Sequence, residues 1–166
     1  MTAKAARRTI SLIAATAASG ALLLTLAAPT AASGPPLAAS GEGVITSVEE
    51  TSSRDADGNR IAERRLEGFL TGTLEGTFVE EVRGVVHDNG QVTFQGTLEF
   101  TGTVGECGDG TVHGRLSGKG TAGENPRTEA RATLVDHASS TVDAAGTGVV
   151  VQDGPFLTYD IQYSCR

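Results

Sequence analysis

Between Gln91 and Val104 the chain reads QVTFQGTLEFTGTV. Val92, Phe94, Gly96, Leu98, Phe100, Gly102 and Val104 share one parity; Gln, Thr and Glu hold every other position. A period of two sends the first set to one face of an extended strand and the second to the opposite face. A helix is excluded, because threonine is stiff at Cβ and each interior glycine costs about 1 kcal/mol relative to alanine. TVHGRLSGKGT at 111–121 and LTGTLEGTF at 70–78 repeat the pattern. A chain made of such segments has a greasy face that it must bury against itself.

Turn signals divide the chain into eight expected strands: 43–53, 60–73, 77–87, 91–104, 111–121, 128–137, 141–152 and 156–165. Asp55-Ala56-Asp57-Gly58-Asn59, Asp88-Asn89-Gly90, Ala122–Arg127 and Asp153-Gly154-Pro155 punctuate them. The even apolar pattern of residues 66–86 runs without a slip and is too long for one strand of a small domain, so a turn is placed at Leu74-Glu75-Gly76. Short connections make successive strands antiparallel neighbours. Eight of them with one apolar face either pack as a β-sandwich or close into an all-β, eight-stranded antiparallel up-and-down β-barrel. Closure also removes exposed edges, and glycines such as Gly72, Gly96, Gly102, Gly114, Gly118, Gly146 and Gly148 suit the narrow bore of a small barrel. The barrel is therefore the expected fold, with the sandwich as its rival.

The first 32 residues read differently. Lys4, Arg7 and Arg8 precede an apolar stretch from residue 10 to 28, and Thr30-Ala31-Ala32 offers a small-residue cleavage site. This is the layout of a secretory signal peptide, with an uncleaved anchor as the alternative; the adjacent arginines leave the Sec and twin-arginine routes both open. Residues 33–41 are expected to be a flexible spacer, and 42–166 a single barrel domain. Losing three positive charges takes the net charge from −7 to −10, with Lys119 the one lysine left. Such a chain has no cationic stripe for phosphates, so nucleic acid is not an expected partner. Cys107 and Cys165 form an even pair, expected as a disulfide in an oxidising compartment.

Polar groups on the apolar parity are the candidate ligand contacts: Glu80 between Phe78 and Val82, Arg64 between Ala62 and Leu66, and Asp136 after Leu134. In the last strand the apolar set is odd and includes Tyr159 and Tyr163, which a change of parity in the preceding loop would turn inward. Buried, Glu80 would have its pKa raised by desolvation, the condition for an acid or base; at a rim it would be solvated or paired with arginine. A core role for the tyrosines ties their hydroxyls to neighbours. His87, His113 and His137 carry no zinc spacing and are expected on the outer face. Asp136-His137 with Ser139 or Ser140 does not make a relay along one strand, where adjacent residues point to opposite faces. DADGN at 55–59 lacks the remaining ligands of a calcium loop and reads as a turn. No cofactor or metal is expected, and no catalytic residue can be named.

The Gly-Thr strands LTGTLEGTFVEEVRG and GQVTFQGTLEFTGTV, the eight-strand meander and the leader together resemble secreted actinobacterial proteins of the allene oxide cyclase-like barrel group. Plant dirigent proteins and, more distantly, calycins share its shape. The resemblance covers about residues 42–166 and rests on pattern, with no catalytic residue carried over. It implies a barrel that holds a small apolar molecule, or an isomerase-type cyclase or dirigent-like catalyst that steers a reactive one. A structural module of the cell envelope is the third expectation. The oligomeric state is open.

Overall fold

The computed structural model describes residues 35–166. The expected signal peptide, residues 1–32, and the first two spacer residues lie outside them.

Eight strands follow in order: β1 Leu37–Ala56, β2 Asn59–Gly72, β3 Leu74–Val86, β4 Gln91–Val104, β5 Asp109–Thr121, β6 Arg127–Val135, β7 Ala144–Asp153 and β8 Phe156–Cys165. Each pairs antiparallel with the next, and β8 pairs back onto β1, closing the barrel. This is the expected barrel and not the sandwich. Along β4 the predicted faces hold at every position, with exposed Gln, Thr and Glu residues alternating with half-buried or buried Val, Phe, Gly and Leu. The inward parity of β8 is odd, as expected: Leu157, Tyr159, Ile161 and Tyr163 are buried.

Three boundaries differ from expectation. β1 begins at Leu37, inside the expected spacer, because 37–41 complete the ladder with β8: Leu37 faces Tyr163 and the buried Ala39 faces Ile161. The β2–β3 reversal centres on Thr73 and not on Leu74-Glu75-Gly76. Leu74 is needed in the core, and Gly72, at φ +104°, takes the conformation that favours glycine. Thr73 also joins two other elements, its N–H donating to Ser40 O and its carbonyl accepting from Gly105 N–H. Finally, β6 stops at Val135, so 136–143 form a loop that returns Val142 to the core.

β1 also carries two register shifts, between Ile45 and Ser47 and between Glu50 and Ser52. A bulge adds a residue and reverses parity. The inward set of β1 thus runs Ala39, Gly43 and Ile45, then Val48 and Glu50, whose ladder partners Leu66 and Arg64 carry the inward parity of β2.

One end of the barrel, the floor, gathers the Thr73 turn, the short 3-10 turn Gly105–Cys107, the 136–143 loop and the chain's C-terminus. Leu74, Phe78, Phe100, Val104, Val112, Val142, Tyr159 and Tyr163 pack there in one buried cluster. The expected disulfide forms at this end, linking Cys107 to Cys165 with Cα atoms 5.3 Å apart. The opposite end, the mouth, is made by the β1–β2, β3–β4, β5–β6 and β7–β8 turns, DADGN forming the first. The outer face is mostly Thr, Glu, Gln and Arg, with apolar exceptions: Val44 pairs with both Phe69 and Phe156, which are 42% and 63% exposed, and Val149 and Val151 of β7 are exposed as well.

The glycines of the strands divide into three kinds. At Gly68 and Gly118 an added Cβ would strike the rings of Phe78 and Phe94, at 2.7 and 2.5 Å, so these positions accommodate aromatic side chains. Gly76, Gly102, Gly120 and Gly148, like these two, bring a neighbouring strand's carbonyl too close for any Cβ, but they seat no ring. Gly84 and Gly114 do neither: nothing lies nearer than 3.4 Å, and both face open interior.

Candidate functional site

The packed floor leaves the upper barrel hollow. A cavity of about 310 Å3 runs from Leu74, Phe78, Phe100 and Tyr159 toward the mouth at Val48, Arg64, Val86 and the β5–β6 loop. Its walls are mainly Ile45, Leu66, Val82, Phe94, Leu98, Leu116, Ala130, Ala132 and Val150, so the inner face is both core and cavity lining. The half-burial of Phe94 and Leu98 has this cause: both side chains border the cavity, and Phe94 also borders a shallow outer groove beside Thr93, Lys119 and Arg131.

Glu80 stands midway along β3 within this wall. Its ladder partners are Leu66 on β2 and Leu98 on β4, and its same-face neighbours on β3 are Phe78 and Val82. Among the described residues no ion pair reaches it. Glu80 is half-buried, and desolvation by this apolar wall, without a compensating charge, raises its pKa from an ordinary 4.5 to about 7. A carboxyl in this state exchanges its proton near neutrality and can accept or donate one hydrogen bond to whatever fills the cavity.

Arg64 lines the same cavity nearer the mouth, but it is turned to Glu50, 3.6 Å away. Arg60 approaches Glu50 more closely, at 2.6 Å. Ser53 and then Arg60, hydrogen-bonded to Glu50, hold that carboxyl below the usual range. The Arg64–Glu50–Arg60 cluster was not legible in the sequence, since Glu50 faces Arg64 only after the bulge between Ile45 and Ser47 realigns β1. Two other polar groups of the lining are occupied. Thr128 Oγ1 donates to Gln152 Oε1, and Gln152 Nε2 donates to the Gly154 carbonyl.

The two tyrosines serve the floor. The Tyr159 hydroxyl accepts from Leu74 N–H at 2.8 Å and donates to the Thr71 carbonyl at 3.0 Å, and burial raises its pKa. Tyr159 borders the cavity; Tyr163 does not, its hydroxyl accepting from Glu106 N–H in the turn that carries Cys107. Asp136 is exposed in the loop after β6 and lies away from the cavity, because β6 ends one residue earlier. Of the five candidate ligand residues, then, the fold brings Glu80, Arg64 and Tyr159 to one space and leaves Asp136 and Tyr163 outside it.

On the outer face the 136–143 loop brings together groups that no single strand could. His113 Nδ1 and Ser140 Oγ are 3.0 Å apart, and His113 Nε2 lies 3.1 Å from Ser139 Oγ and 3.3 Å from Glu99 Oε2. His137 stacks on His113 with ring centres 4.1 Å apart and meets Ser139 through Nδ1. The network fastens the loop to the exposed side of β4 and β5.

No helix among the described residues is long and apolar enough to cross a membrane. No protein-family model matches the chain, and no curated protein matches its sequence.

Proposed function

We propose that this protein is an exported barrel that binds a small, mostly apolar molecule in its interior. The observation that carries the reading is the hollow above the packed floor, walled by Leu, Val, Phe and Ala and holding one carboxyl without an ion-pair partner. Ligand sites are typically concave, largely apolar and supplied with few polar groups. An unpaired, half-buried carboxyl in an apolar wall destabilises a fold, so a purely structural barrel would be more stable with leucine in its place. Export is supported by the leader-like first 32 residues and by the Cys107–Cys165 disulfide, which suits an oxidising compartment. The cyclase-like or dirigent-like reading keeps one specific support: a carboxyl titrating near neutrality is suited to proton transfer.

The test combines native mass spectrometry of protein purified without denaturant with titration of 4-phenylbutan-1-ol, followed by amide chemical shifts. Saturable shifts at Gly84, Leu98 and Gly114 are expected, and Gly114→Leu, which fills open interior space, should suppress them. A protein that carries nothing and shows no shift with any apolar titrant would instead be a structural module.

A further inference from the structure

Resting on that reading, we infer that the preferred occupant is a cationic amphiphile: a protonated amine on a compact apolar frame, with its ammonium group against Glu80. The geometry restricts what can fill the space. A wholly apolar occupant would strip the remaining water from Glu80 and supply nothing in exchange. An ammonium supplies both hydrogen-bond donors and the missing charge, and charge-assisted bonds of this kind are the strong ones. The desolvation of the carboxyl is already built into the folded barrel, so an amine adds only its own.

The surrounding charges leave this place open to a cation. From β2, Arg64 faces the cavity but is matched with Glu50 of β1, and Arg60 is drawn to the same carboxylate. From β8 only the Tyr159 hydroxyl approaches, and its hydrogen bonds are made with backbone. The inward residues of β4, β5, β6 and β7 in the lining, such as Leu98, Leu116, Thr128, Ala130, Val150 and Gln152, carry no charge; Arg115 of β5 also borders the space, but it holds the outward parity of its strand and is exposed. An anionic amphiphile could reach Arg64 only at the mouth and would lay its tail along Glu80, the unfavourable arrangement. The acidic field of a barrel domain with net charge near −10, three positive charges fewer than the chain's −7, also draws cations toward it.

The experiment compares 4-phenylbutylamine with 4-phenylbutan-1-ol, near-isosteric and differing in charge, by calorimetric titration of the wild type and Glu80→Gln. At pH 8 the amine is expected to bind roughly tenfold or more tightly than the alcohol. Glu80→Gln should shrink that ratio to a few-fold. In the wild type the amine's affinity should rise with pH from 6 to 8, as Glu80 loses its proton, while the alcohol's does not. Equal binding of amine and alcohol, or a preference that survives in Glu80→Gln, overturns the inference and leaves the cavity reading standing. Tighter binding of 4-phenylbutyrate at pH 6 than of the amine at pH 8 overturns it too, since Glu80 would then act as a neutral donor. If neither the alcohol nor the amine binds, the cavity reading itself falls.

Discussion

Replacing Glu80 with glutamine should make the barrel more stable, and only above a definable pH. The side chain keeps its shape and loses its capacity to ionise. In the unfolded chain Glu80 titrates at an ordinary 4.5, and in the barrel at about 7. The folded state therefore holds the proton more tightly. Its contribution to stability is fully present below pH 4.5, is lost progressively as pH rises to 7, and stays lost above that. Each pKa unit corresponds to 1.36 kcal/mol, so the ionised carboxyl costs about 3 kcal/mol at pH 8. Glu80→Gln approximates the protonated form at every pH. Urea denaturation of both proteins at intervals from pH 4 to 8.5 should give nearly equal stabilities at the acid end. The variant should gain up to about 3 kcal/mol at pH 8, with the difference opening between 4.5 and 7. A variant less stable than the wild type at pH 8, or a difference independent of pH, would mean that Glu80 has a partner in the barrel. The account of the site would then be wrong.

Other perturbations probe the floor. Replacing Cys107 and Cys165 together with serine opens a loop whose ends are 58 residues apart, and should lower stability by about 4 kcal/mol in chemical denaturation under oxidising conditions. Phe100→Ala removes a ring that is 1% exposed and should cost about 3–5 kcal/mol by the same measurement. Tyr159→Phe leaves Leu74 N–H without its acceptor and should cost about 1–3 kcal/mol, with faster hydrogen exchange at Leu74 as the local signature.

Alternation and turn signals were enough to place the strands and their faces, and they favoured closure over a sandwich without deciding it. The positions of β4 and the inward tyrosines of β8 follow from period two, because a side chain's face in a strand depends only on parity. Glu80 was legible as a candidate for the same reason: a carboxyl on the apolar parity is visible without coordinates. Its surroundings were not. Whether it met an arginine, the rim or a wall of leucines depended on the tilt and register of three strands. Parity also failed where the backbone departed from regular pleating. The first bulge of β1 brought Glu50 to Arg64, and the loop after β6 carried Asp136 out of the barrel. The division of glycines into those that seat a ring, those that let strands touch and those that border empty space lies further still from the sequence. A residue without a side chain carries no mark of what stands opposite it, and that is decided only when strands distant in the chain close around a common interior.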